Sequence, residues 1–426
     1  MNFPEELLHF VWQFRLYGAE PLQTTTGEII QVIQLGTLNK NAGPDFSNAK
    51  LVIGDTTWVG NVEIHLKSSD WLLHQHQLDN AYENVILHVV YDDDTKIYRK
   101  DGTLLPALVL KNRFPASLAN NYEALITAAN NFPCEKQIHE IDDFLIKGFL
   151  SRVLVERLED KSAEVYEKLK ELKNDWDEAF YHFMARNFGF KVNAVPMEML
   201  ARSLPQQLFA KHKDQPLQIE ALIFGQAGFL DQKFKDEYPK QLQAEYRFLQ
   251  KKYGLQPIEV SLWKFMRMRP QNFPTLRLAQ FAALIINSHH LFSKVLALRD
   301  YRNSQQLFEA LPVNPYWQNH YHFNKTAENV GLQLGKGSID NILINTLSLF
   351  LFAFGKAMDQ HNYITRCFYI LENLPAENNA VVKQYIDAGV RIKDAYQTQA
   401  LLQLKKTYCN EKKCLNCGIG IKILRQ

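Results

Sequence analysis

The feature that most limits how this chain can fold is a change of apolar rhythm near Pro133. Before it, hydrophobic residues alternate in short, β-branched runs. After it, they recur every three or four residues over windows too long for strands. Two rhythms in two sequence blocks imply two kinds of layer, so the fold class is α+β or α/β: an N-terminal mixed-sheet domain followed by a mostly α-helical domain. The expected bounds are 1–135 for the sheet domain, 136–400 for the helices and 401–426 for a basic tail bearing cysteines. A chain of 426 residues also exceeds the ~250–300 residues that one core usually serves.

Within the first block, Pro4 to Tyr17 has apolar residues at 7, 8, 10, 11, 12 and 14, a helical spacing with proline in its first turn. The runs "GEIIQVIQLG", "AKLVIG" and "WVGNVEIHLK" read as strands, with "DTT" as a turn between the last two. "SSDWLLHQHQLDNAY" then reads as a helix capped by Ser69 or Asp70, "NVILHVVYDDD" as a buried strand, and "LLPALVL" as one more. Beyond Pro133, segments such as 142–173 and 276–298 predict long helices without a fixed-period repeat. The most apolar stretch, "NILINTLSLFLFAFGKAM" at 341–358, carries Asn and Gly and falls short of the ~20 residues that span a bilayer. It reads as a buried core helix, and no membrane is expected. The N-terminal segment places acids before its apolar run and lacks a cleavage site, so the expected location is cytoplasmic.

Two residues apart on one strand share a face, so Glu63, His65 and Lys67 should project together, opposite Val62, Ile64 and Leu66. If Asp45 starts the preceding strand, its carboxylate comes beside that of Glu63. Such a pair repels itself, and Mg²⁺ or Mn²⁺ relieves the repulsion. Asp45, Glu63 and the carbonyl of Ile64 are the expected metal ligands. His65 or Lys67 would handle the attacking water or a phosphate.

His74, His76 and His88 crowd the same region, with Asp70 one helical turn before His74. On a regular helix positions 74 and 76 point about 200° apart and cannot share an ion. An irregular backbone would allow a transition metal on Glu63, His65 and His74 or His76, giving a hydrolase or oxygenase of another kind. The plainer reading is that these side chains satisfy one another around Trp71 and Tyr82.

"CNEKKCLNC" sets Cys409, Cys414 and Cys417 at a spacing that lets thiolates converge on zinc or a [4Fe–4S] cluster. Cys134, at the domain junction, is the preferred fourth ligand over Cys367 inside an apolar helix. With 48 Lys+Arg against 46 Asp+Glu the net charge is +2, so nucleic acid, the expected partner class, would have to be met by a local patch. Arg267, Arg269 and Arg277 around Pro270 and Pro274 form one basic cluster, read as a structural bridge.

The order helix, three strands, helix, strand resembles the PD-(D/E)XK nuclease superfamily, with Pro44-Asp45 and Glu63 at its acidic positions. That resemblance implies a metal-dependent nuclease or phosphodiesterase with a two-carboxylate site. His65 stands where the superfamily usually has lysine, Lys67 lies one pair further along, and Glu6 or Glu5 would be the helix-borne acid. Some nucleases of the superfamily are also stapled by an iron–sulfur cluster. Over nearly its full length the chain is similar to an uncharacterised bacterial family catalogued as domain of unknown function 2851. The residues that carry this are "NAGPDFSNAKLVIGDTTWVGNVEIHLKSSDW", "HQHQLDNAYENVILHVVY", "RPQNFPTLRLAQ" and "KKCLNCGIG". A non-catalytic nucleic-acid-binding or scaffold protein on the same fold is the alternative function.

Overall fold

Pro4 opens the first helix, α1 (Glu5–Gln13), which buries Leu7, Leu8, Phe10, Val11 and Trp12. This computed structural model describes residues 3–426 apart from Arg267, His289, Arg299 and Asn329; the basic-cluster expectation for Arg267 thus lies outside the described residues. The chain divides into two units. The first comprises Met1–Phe149, Gln384–Val390 and Leu404–Gln426, the second Leu150–Lys383 and Arg391–Gln403.

After α1 the first unit forms β1 (Leu22–Gln23), β2 (Ile29–Gln34), β3 (Thr37–Leu38), β4 (Phe46–Ile53), β5 (Thr56–Lys67), β6 (Val85–Asp92) and β7 (Ala107–Val109). They make one seven-stranded sheet in the order β1-β2-β4-β5-β6-β7, with β3 also against β4. The pairs as far as β4–β5 are antiparallel, and β5–β6 and β6–β7 are parallel. With 53% helix and 12% strand in separate blocks, the protein is α+β.

Two local expectations change. The β4–β5 turn is Gly54-Asp55, with Gly54 at φ +59°, so Thr56 and Thr57 of the expected turn already pair in the strand. More consequentially, the helix expected over 68–82 stops after one turn, α2 (Asp70–Leu73), and continues as 3₁₀ turns at His76–Leu78 and Asn80–Tyr82. Gln75 between them is left-handed, at φ +61°. Leu72, Leu73 and Leu78 are all exposed, so a continuous helix would have no apolar stripe to bury. Trp71 alone turns inward, onto Val85, Ile97 and Leu105. Asp79 then fixes the second turn by accepting the Ala81 amide at 2.9 Å.

The second unit is helical, apart from a small hairpin of His320–His322 and Lys325–Thr326, too short to leave a periodic signal. Its core stacks Phe180, Phe292 and Phe350 edge to face, and Gly225 lies so close to Tyr246 that a Cβ would meet the ring at 2.0 Å. Lys336–Ala357 is long and apolar enough to cross a membrane, yet 72% of its most apolar window is buried within the fold. Arg277 is structural: its guanidinium donates to Asn272, Gln280 and Ser338 at 2.6, 3.0 and 3.0 Å.

Candidate metal centre

Asp45 follows the buried Pro44 and immediately precedes β4. One step further, β4 carries an extra residue against β5: Phe46 pairs with Val62 but Ala49 with Gly60, and Asn48 inside the bulge is left-handed at φ +59°. A bulge turns the strand locally, and here it lies where the Asp45 carboxylate reaches across to β5. The Ile64 amide donates to Asp45 Oδ2 at 2.9 Å, and the Asp45 amide donates to Glu63 Oε2 at 3.1 Å. The two acids are thus locked side by side by reciprocal backbone bonds, and Ile64 enters the site through its amide.

The expected alternation holds, but the polar face does not open onto solvent at this point: Glu63 and His65 are 4% and 1% exposed. The segment 70–82 covers them. His76 Nε2 and His65 Nε2 lie 3.4 and 3.5 Å from Glu63 Oε1, and His74 Nδ1 lies 3.2 Å from His65 Nε2. Left-handed Gln75 reverses the chain between His74 and His76, which a regular helix would hold on opposite sides. Nitrogens of His65, His74 and His76 consequently converge within 4.8 Å of one another. On the Asp45 side a second trio converges equally, formed by Glu5, His9 and Asp45, with His9 Nε2 at 3.2 Å from Asp45 Oδ2.

His88 orients this set from behind. Its Nε2 lies 2.9 Å from His65 Nδ1, and its own Nδ1 is buried without a hydrogen-bond partner. A proton on His88 Nδ1 leaves its Nε2 to accept from His65 Nδ1–H, which turns the lone pair of His65 Nε2 toward Glu63 and His74. In that tautomer His65 Nε2 can accept from the protonated Glu63 carboxyl or serve as a ligand to a cation.

The electrostatics agree. Burial, and then the charge of Asp45, push the Glu63 carboxyl up to about 8, and burial lifts Glu5 to about 7. Burial and the neighbouring imidazoles hold His65 down at about 2, and burial with His76 holds His88 at about 3. The site therefore combines two acids that resist ionisation, Glu63 and Glu5, with two imidazoles that stay neutral, His65 and His88; a divalent cation would favour the ionised form of the acids and the neutral form of the imidazoles. His9 Nε2 pairs with Asp45 Oδ2 at 3.2 Å, and that pairing raises the His9 imidazole above its ordinary value against the effect of burial. His76 Nε2 is buried 3.4 Å from Glu63 Oε1 with no aligned hydrogen bond, a position that fits a ligand sharing an ion with Glu63. Oxygen-rich Glu5–His9–Asp45 suits Mn²⁺ or Mg²⁺, and the imidazole-rich set around Glu63 suits Mn²⁺, Zn²⁺ or Fe²⁺.

Other expected residues lie apart. Lys67 is exposed at the end of β5, where its charge acts on Asp94. Asp70 spends Oδ2 on the Lys67 amide at 2.9 Å. Glu6 is exposed, and Glu5 is the acid of α1 that joins the site. His9 was not anticipated; its signal is the i, i+4 spacing from Glu5, readable only once α1 is known to pack on β5. Cys134, Cys409, Cys414 and Cys417 all belong to the first unit, and Cys367 to the second.

A family model described as "Protein of unknown function (DUF2851)" matches residues 5–380, most of the chain and all of the centre above. The chain belongs to this family. No curated protein and no solved structure matches it. The match ends before Cys409, so the DUF2851 region includes every residue of the candidate centre but only Cys134 of the four thiols.

Proposed function

We propose that this DUF2851 protein is a metal-dependent phosphodiester hydrolase, its centre built for two divalent cations on either side of Glu63. The observation that supports the reading is the convergence of two trios of donor atoms, His65–His74–His76 and Glu5–His9–Asp45, beside the Asp45–Glu63 pair. Divalent cations in such a centre lower the pKa of a bound water and neutralise charge developing on a phosphate. The chain's own part is to hold the ligands in register: Asp45 and Glu63 through reciprocal amide bonds, and His65 through His88.

The choice of a phosphodiester draws support from two sides. The first is the sequence resemblance to the PD-(D/E)XK nucleases through Pro44-Asp45 and Glu63. A cleft of about 290 Å³ reaches the centre at His76; its walls present Trp71, Tyr82 and Tyr98, with Arg99 and Lys100 beside Asp79, Glu83 and Asp101, and Lys100 pairs with Glu83 at 2.7 Å. The aromatic faces suit stacking of a nucleobase, while charge on a phosphate would be met by the cations of the centre.

The test is hydrolysis of bis(p-nitrophenyl) phosphate and of mixed single- and double-stranded DNA and RNA with Mn²⁺, Mg²⁺ or Zn²⁺. Wild type is compared with Glu63→Gln and His76→Ala. Metal-dependent cleavage lost in both variants is the expected result. Cleavage at equal rates in all three proteins refutes the assignment of the centre, and no cleavage by wild type with any of the ions refutes the reading and leaves a non-catalytic binding protein.

A further inference from the structure

Four thiols that the metal centre does not use gather elsewhere in the first unit. Cys134 precedes the 3₁₀ turn Ile138–Glu140, and Cys409 ends a π-helical turn, Lys405–Cys409. Cys414 begins the 3₁₀ turn Cys414–Asn416, and Cys417 is the N-cap of the helix Gly418–Leu424. None is in a disulfide; Cys134, Cys414 and Cys417 are buried and Cys409 is half-buried.

Their surroundings join the segments. The Tyr385 hydroxyl lies 3.2 Å from Cys409 Sγ, and its ring stacks on Phe132, two residues before Cys134, at 4.2 Å between centroids. The Cys417 amide donates to the Cys414 carbonyl at 3.3 Å. Gly420 lets that loop close, since a Cβ there would meet the Cys414 carbonyl oxygen at 2.3 Å. The turn that carries Cys409 also packs against the turn that begins at Cys414. Packing alone gives no reason to bring four cysteines from three segments to one place, because any small apolar residue would fill the space.

We propose that Cys134, Cys409, Cys414 and Cys417 ligate a [4Fe–4S] cluster that clasps the last segment of the chain to the helices beneath it. The arrangement fits the cluster better than one zinc, which would gather at least three of the sulfurs closely. Among the described residues, the trios whose donor atoms lie within 4.8 Å of one another are the two of the metal centre, and none is made of these thiols. A single tetrahedral zinc, with Zn–S of about 2.3 Å, would draw its sulfurs to about 3.8 Å. A cube with a separate iron under each thiolate holds them further apart.

The clasp has a definite load. The turn Cys414–Asn416 packs on α1 and on the helix Ala116–Thr127, and the helix Gly418–Leu424 packs on the latter. Arg425 lies over the ring of Phe14, the C-cap of α1, at 5.1 Å. The cluster thereby braces the helix that carries Glu5 and His9.

Full-length protein purified without oxygen, then treated with ferrous iron and sulfide, tests this. Expected are about four iron and four acid-labile sulfide per chain, with broad visible absorption that fades on dithionite reduction. These signals should be lost in Cys134→Ser and Cys414→Ser and kept in Cys367→Ser and Glu63→Gln. One zinc per chain without sulfide overturns the proposal, and so does folded wild type that takes up no cluster. If the serine variants fail to fold, the iron and sulfide content of wild type decides alone. Retention of the cluster in Glu63→Gln separates this outcome from that of the hydrolase assay.

Discussion

Glu63→Gln should stabilise the metal-free protein at alkaline pH while abolishing its stabilisation by metal. In the folded chain the Glu63 carboxyl titrates at about 8 against an ordinary 4.5. Its protonated form is thus favoured by folding: the contribution is fully present below about pH 4.5 and is lost as pH rises toward 8. That gap corresponds to a loss on the order of 5 kcal/mol, spread at roughly 1.4 kcal/mol per pH unit. Glutamine occupies the same volume without the buried charge and removes this loss. Glu5, lifted to about 7, acts in the same direction and remains in the variant, so part of the slope persists. The assay is urea denaturation of chelator-treated protein at pH 5, 6.5 and 8, repeated with excess Mn²⁺ or Zn²⁺. Wild type should weaken toward pH 8 far more than the variant. Metal at ~100 times its dissociation constant should restore about 2.7 kcal/mol to wild type and almost nothing to Glu63→Gln. Parallel pH profiles, or equal stabilisation of both proteins by metal, would refute the argument that a crowded buried carboxylate is waiting for a cation.

His65 and His88, held neutral at about 2 and 3, give the opposite sign: their contribution is present above about pH 6.5 and is lost as pH falls, so a His65→Gln/His88→Gln variant should show a flatter acid limb in the same denaturation series. His88→Ala alone leaves every ligand in place but frees His65 to rotate, and calorimetry should find metal affinity reduced about 10–100-fold. Gln75→Gly relieves a left-handed strain and should bind metal as wild type does, whereas Gln75→Val cannot easily adopt φ +61° and should lose the His74–His76 convergence, both read by metal titration. Gly225→Ala sets a methyl group against the Tyr246 ring and should cost about 1–3 kcal/mol by thermal denaturation, with no change in metal binding.

The parts of this fold that announce themselves in the sequence are those governed by local rhythm. Val62 and Ile64 against Glu63 and His65 gave the strand and its two faces, because alternation is a property of the strand itself. The apolar spacing of 7, 8, 11 and 12 gave α1 for the same reason. What escaped depends on partners distant in sequence. Positions 74 and 76 counted against a shared ion as long as the backbone was taken to be regular, and nothing in the letter Gln announces a left-handed residue. His9 was invisible because its neighbour Asp45 lies 36 positions away and meets it only when α1 docks on the sheet. Lys67 looked equivalent to His65 by parity, but β5 has left the cover of the 70–82 segment by then, and the lysine ends in solvent.

The first unit is discontinuous, interrupted by the long excursion from Leu150 to Lys383 and completed by Leu404–Gln426. A ribosome adding ~5–20 residues per second takes roughly 13–50 s to move from residue 150 to residue 404. During that interval α1 has been made but the turn and helix that lie against it have not. The nascent protein therefore carries its candidate ligands half a minute or so ahead of the support for the helix that presents two of them. Premature termination anywhere before residue 404 would leave that helix without its backing, although every residue of the centre had been translated.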